Sequence, residues 1–214
     1  MIPGVDRSHL NSPVSLASLA AKGIKFVFFK ATQGDTFIDL AFAASWKEAS
    51  ETEGLHQGTF HFFNPQIDGI VQAKHYTSVV GDFSGRGCLP PFVDVEDLVG
   101  SNEADTVRLN KWVEDNWQVA IKRLQDFLNC VKTDTGRTCG IYSYNGYMRD
   151  TLHGVKFPDN PFWLSSIQAT CPNRYDTGKL PEFWQYTYNW QNTDMDGNYF
   201  TGTQQQLDLM ANIQ

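Results

Sequence analysis

The sequence predicts an α/β protein built as an incomplete, TIM-like β/α barrel. Short apolar runs rich in β-branched and aromatic residues alternate with helix-periodic segments through most of the chain. Runs such as "IKFVFFKAT" are too continuous for strands with one wet face, so they read as parallel strands covered on both sides. Eight candidate strands occur, but helices accompany only the first five. Strand–helix alternation implies right-handed crossovers and a parallel sheet clothed by helices.

Each element has a local reason. "IPGVD" opens the chain as a short strand, followed by a helix from Pro13 to Lys22. "IKFVFFKAT" is the second strand, and Phe42, Trp46 and Ala49 fall at helical spacing in a helix from Leu40 to Gly54. "GTFHFF" is the third strand, with a helix from Ile70 to Val80, and "PFVDVE" the fourth. A long helical region from Glu103 to Lys132 carries a stripe that includes Val107, Trp112, Trp117, Leu124 and Phe127. "TCGIYS" is the fifth strand, with a short helix near Tyr147. "PFWLSSI", "EFWQYTY" and an extended piece at Asn198–Phe200 follow with no helix between them.

The totals narrow the function. No linker, repeat or low-complexity tract divides the 214 residues, so one domain over 1–214 is expected, with no separate binding module. The net charge of −7 argues against nucleic-acid binding, which needs clustered Lys and Arg, and against attraction to an anionic membrane. No apolar segment reaches the roughly 18 residues of a membrane span. The N-terminus lacks a basic region followed by an apolar one, so no signal peptide is expected, which fits a cytosolic protein, one exported by another route, or a mature form with its leader removed. Aromatic residues make up 14% of the chain, a surplus suited to lining a sugar-binding cleft. Cys88, Cys130, Cys139 and Cys171 form no C-x-x-C pair, which disfavours zinc and leaves disulfide formation open.

In a β/α barrel the reactive groups sit at the C-terminal ends of the strands. Here those ends carry Asp6, Lys30, His61, Asp94 with Glu96, Tyr142 with Ser143, and Gln185 with Tyr186. In "LPPFVDVEDLV", Asp94 and Glu96 are two apart and share a face, while Asp97 begins the exit loop as a solvated charge. Adjacent carboxyls cannot both ionise freely, and a protonated acid beside an ionised one is what glycoside hydrolysis needs. The plainer alternatives are a solvated strand end for the D-x-E pair, a helix cap for Asp6 and a hydrogen-bonded core residue for His61. Lys30 could simply snorkel, and Trp184 and Tyr186 read as part core, part cleft wall. Metal binding is the weaker chemical use, because His56 and His61 form no H-E-x-x-H or comparable cluster; no metal or cofactor is expected.

"GVDRSH", "FFKATQG", "FHFF", "LPPFVDVE", "GIYS", "WQYT" and "MDGNYF" together resemble glycoside hydrolase family 25, the Chalaropsis-type lysozymes that include many phage endolysins. The resemblance runs from Gly4 to about Gly202. It implies a (β/α)5β3 barrel and an N-acetylmuramidase that cuts the β-1,4 bond between N-acetylmuramic acid and N-acetylglucosamine in peptidoglycan. It further implies Glu96 as general acid, Asp94 as its partner, and Asp6 and Asp196 as further active-site carboxylates. His61, Lys30, Tyr142, Gln185 and Tyr186 are implied as substrate-side residues, and Trp184 joins them as a substrate-side candidate from its place beside Gln185 in the strand. Arg7, Asn11 and Phe63 depart from the usual pattern. A monomer acting on glycan strands of the cell wall is expected; the alternative is a non-catalytic glycan-binding or virion structural protein on the same barrel.

Overall fold

The computed structural model describes residues 1–81, 83–167 and 180–212. Nine strands and six helices alternate along them. The order is β1 (Ile2–Arg7), α1 (Leu16–Ala21), β2 (Phe26–Gln33), β3 (Phe37–Ile38), α2 (Phe42–Glu51), β4 (His56–Phe62) and α3 (Gly69–Val80). Then come β5 (Phe92–Asp94), α4 (Glu103–Asp115), α5 (Trp117–Thr135), β6 (Gly140–Tyr144), a π-helical turn (Tyr147–Thr151), β7 (Phe162–Ser165), β8 (Phe183–Thr187), β9 (Asp196–Phe200) and α6 (Gln204–Met210).

Eight of these strands close into a barrel in the order β1-β2-β4-β5-β6-β7-β8-β9, and β9 returns to β1. Neighbours from β1 to β8 are parallel, whereas β9 is antiparallel to both β8 and β1. The two-residue β3 folds back on the end of β2 as a hairpin outside the barrel. Neither β3 nor α6 is foreseen from the sequence; both are too short for periodicity to register.

Two apolar layers result from strand alternation. Val27, Phe29, Val93, Val95, Ile141 and Leu164 point outward against the helices. Phe26, Phe28, Phe60, Phe92, Trp163, Phe183 and Phe200 point inward and fill the barrel. Phe28 stacks on Trp163 at 4.6 Å, and Phe26 and Phe92 meet Phe183 edge-on. Much of the aromatic surplus is therefore barrel filling rather than cleft lining. An eight-stranded barrel has an interior that side chains must occupy, and large rings do so opposite small residues. Gly4, Gly58 and Gly140 supply that space: a Cβ at any of them would lie 2.2–2.3 Å from the ring of Phe26, Phe28 or Phe92.

The long helical region is two helices, not one. Asn116 leaves helical geometry (φ −126°, ψ 31°), and its side-chain amide donates to the Trp112 carbonyl at 2.8 Å, ending α4 before α5 begins. α5 buries Ile121, Leu124, Phe127, Leu128 and Val131, while Val107 on α4 stays exposed. Among the described residues, Cys88, Cys130 and Cys139 are free thiols; Cys171 lies outside the described residues. No described helix is long and apolar enough to cross a membrane.

Candidate active site

Strand alternation decides which side chains meet at the mouth. β5 ends at Asp94, and the alternation continues just past it: Val93 and Val95 pack in the outer layer, while Asp94 and Glu96 line the mouth. Asp6 in β1 is in register with Phe28 of β2 and Asp196 of β9. Because β9 runs against its neighbours, its first residue, Asp196, reaches the same end as the last residues of the parallel strands. These four acids, with Lys30, Tyr142 and Gln185, line a cavity of about 300 Å³. Phe60, Phe62 and Trp163 add aromatic walls, and Arg7, Ser8, Leu10 and Asn11 complete the lining.

An amide network fixes two of the acids. The Gln185 side-chain amide donates to Asp6 Oδ2 and to Asp196 Oδ2, both at 3.1 Å. The Gln185 oxygen accepts from Tyr142 and from Ser165, both at 2.8 Å, which sets the amide's orientation. Asn198 donates to Asp6 Oδ2 at 2.7 Å and accepts from the Trp163 indole N–H at 2.8 Å. The aromatic filling of the barrel thus orients an amide, and the amide orients a carboxylate. Asp94 is placed differently: it is 6% exposed, and its Oδ1 has no hydrogen-bond partner.

Burial raises the pKa of all four carboxyls. For Glu96 burial is the main cause, the Asp97 charge adds to it, Lys30 opposes it, and the value reaches about 7. Burial lifts Asp196 to about 6. Asp94 is raised well above the usual range by burial and by Glu96, against the pull of Lys30. Asp6 is raised by burial and by Asp196, with the Asn198 and Gln185 donors pulling the other way. Lys30 is lowered by burial, and Asp94, Asp39 and Glu96 counter that shift. Its ammonium donates to Gln33 at 2.8 Å and lies 4.7 Å from the Phe62 ring centre. Between about pH 6 and about pH 7, Glu96 keeps its proton while Asp196 has lost its own. The titrations are those of a coupled set, and the mouth then holds a proton donor and a carboxylate together. Among the described residues no group of three or more His, Cys, Asp or Glu side chains is arranged to hold a metal ion.

Comparison with known proteins gives the family. The family model described as Glycosyl hydrolases family 25 matches residues 5–195. The chain belongs to glycosyl hydrolases family 25. This family 25 chain is 30% identical over 219 residues to the uncharacterized protein YegX of Escherichia coli O157:H7, covering 98% of this chain and 73% of that one. It is 28% identical to the N,O-diacetylmuramidase of Chalaropsis sp, covering 98% and 99% of the two chains. The solved muramidase from Acremonium alcalophilum superposes with a TM-score of 0.87 at 26% identity, over 99% of both chains.

Not every residue expected at the cleft of the family 25 chain reaches it. His61 does not. Phe60 and Phe62 take the inward positions of "FHFF", so alternation sends His61 to the outer face of β4. There it is 0% exposed, meets Thr32 at 2.7 Å and Gln72 at 3.2 Å, and stacks on Phe127 at 4.9 Å. Burial pushes its pKa down to about 3, so the ring is neutral. Trp184 and Tyr186 also miss the cavity, because Phe183 and Gln185 occupy the inward positions of β8. They pack outside with Tyr199, and the Trp184 indole donates to the Ser166 carbonyl at 2.7 Å.

Asn198, Ser165, Trp163 and Phe62 join the site without having been expected there. Asn198 was accessible to the same i, i+2 rule that paired Asp94 with Glu96, since it follows Asp196 by two residues on one strand. Asp97 is exposed, as expected, yet it is not merely solvated: Tyr144 donates to its Oδ2 at 2.5 Å.

Proposed function

We propose that this chain is an N-acetylmuramidase that cleaves the β-1,4 bond between N-acetylmuramic acid and N-acetylglucosamine in peptidoglycan, with Glu96 as general acid. The observation that carries the assignment is a half-buried carboxyl with a pKa near 7 at a mouth shared with three other acids. The muramidase names of the relatives support the same substrate.

Glu96 donates its proton to the glycosidic oxygen as the bond breaks. Positive charge then develops on the sugar, and a neighbouring carboxylate stabilises it. Asp196, at about 6, loses its proton before Glu96, at about 7, and the Gln185 amide holds it in place. Asp6 is held by Gln185 of β8 and by Asn198 of the adjoining strand β9. Asp94, buried with an unpartnered oxygen, is the acid free to accept a substrate N–H. Lys30, Tyr142 and Gln185 bind substrate from the mouth. The architecture reads as a (β/α)5β3 barrel forming one catalytic domain, acting as a monomer at the bacterial cell wall.

The test is product analysis on purified peptidoglycan. Wild type should release new reducing ends bearing muramic acid, and Glu96→Gln should lose at least about a hundredfold in turnover while remaining folded. Near-normal turnover in Glu96→Gln would overturn the general-acid role. Binding of glycan strands without new reducing ends would instead favour a binding-only protein.

A further inference from the structure

Asp97 follows Glu96 directly and leaves the barrel on its solvent side, yet it is held in place. The Tyr144 hydroxyl, at the end of β6, donates to Asp97 Oδ2 at 2.5 Å. The Tyr144 ring is half-buried and packs edge-on against Tyr147 of the π-helical turn, with ring centres 6.0 Å apart. A neighbouring strand therefore anchors an exposed carboxylate next to the acid at the mouth, where an unanchored side chain would swing into water.

We propose that the Tyr144–Asp97 pair is a positioning device for Glu96, a fixed negative charge at the rim that retains the proton on the acid until substrate takes it. The inference rests on the assignment of Glu96 as general acid. Several groups face Glu96. Asp94 lies two residues before it at the end of β5, Asp6 on β1, Lys30 on β2 and Asp196 on β9, with Tyr142 and Tyr144 on β6 and Tyr147 on the turn. Lys30 works against retention of the proton, and Asp94 and Asp6 are themselves buried acids whose ionisation burial opposes. Asp97 differs from them in standing at the solvent edge, where the Tyr144 hydroxyl holds it. After burial, its charge is the largest contribution to raising Glu96.

The experiment follows the Glu96 carboxyl by ¹³C NMR titration and the pH dependence of kcat on peptidoglycan in wild type, Asp97→Asn, Tyr144→Phe and Glu96→Gln. In Asp97→Asn, the Glu96 midpoint and the alkaline limb of activity should both move down by roughly half to one pH unit. Tyr144→Phe should move both the same way by less, because Asp97 keeps its charge but loses its anchor. An unmoved Glu96 midpoint in folded Asp97→Asn overturns the proposal, and so does a uniform activity loss at every pH with that midpoint unchanged. An active Glu96→Gln would overturn the general-acid assignment instead. The NMR midpoint reports on the Asp97–Glu96 coupling whichever way that control falls.

Discussion

His61 illustrates how one side chain can sit beside chemistry in the sequence and apart from it in space. It stands between Phe60 and Phe62, which line the cavity, but on the far side of β4, satisfied by Thr32 and Gln72 and stacked on Phe127. Its role is structural. His61→Ala should cost roughly 2–4 kcal/mol, from the cavity left behind and from the polar partners stranded in the core. Turnover per folded molecule should stay within about threefold of wild type, since no contact with the mouth is lost. Urea denaturation with single-turnover assays of the soluble fraction checks both parts. A large fall in kcat without loss of stability would return His61 to the catalytic machinery. At the same scale, Asp97 shows the reverse: an acid expected to be idle is tied by Tyr144 to the residue it follows.

At the scale of elements, the site depends on how closely the helices press on the outer face of the sheet. α3 starts at Gly69, behind an Asp68 cap whose side chain accepts from the backbone N–H groups of Ile70 and Val71. A Cβ at Gly69 would lie 1.9 Å from the Arg123 carbonyl oxygen on α5, so the two helices touch backbone to backbone there. Nothing flexible can yield at that contact. Gly69→Ala should therefore destabilise the protein by at least about 1–3 kcal/mol, more than the helix-propensity gain of alanine returns. Thermal melts check this; a neutral or stabilising outcome would mean that α3 and α5 slide apart freely. The break at Asn116 belongs to this scale too. The apolar stripe runs across it without interruption, so periodicity joins α4 to α5, whereas the Asn116 side chain capping the Trp112 carbonyl separates them.

For the whole molecule, gathering four acids at one mouth carries a stability cost that depends on pH. Glu96 rises from an ordinary value of 4.5 to about 7 on folding, and Asp196 from 3.8 to about 6, so the folded state holds these protons more tightly than the unfolded chain does. Their contribution to stability is complete below the unfolded values and is lost as pH rises through about 6 and about 7. Glu96→Gln removes part of that loss. It should be more stable than wild type by roughly 1–3 kcal/mol at about pH 8 and nearly equal to it at about pH 4. Denaturation curves at the two pH values decide the matter, and an equal difference at both would show that Glu96 ionisation is not opposed by the fold. The stability forgone is what keeps a proton donor available near neutral pH.

Alternation of apolar strands with periodic helices, and acids at strand ends, were enough to set the barrel, its mouth and the pairing of Asp94 with Glu96, because strand period and crossover handedness are local properties of the chain. Which face each strand turns inward was also legible where a run has clear alternation, as in "PFVDVE"; in "FHFF" and "EFWQYTY" aromatics stand on both faces, and composition alone cannot choose between them. Only the tertiary structure decided the rest. The antiparallel return of β9 brings the first residue of a strand, Asp196, to the end where the other strands finish. The Trp163–Asn198–Asp6 and Gln185–Asp6–Asp196 contacts join residues up to 192 positions apart. The bond from Tyr144 to Asp97 joins residues 47 positions apart, from the end of β6 to the loop after β5. Those contacts exist only once the barrel closes, and it is closure that excludes water from the acids and gives them their chemistry.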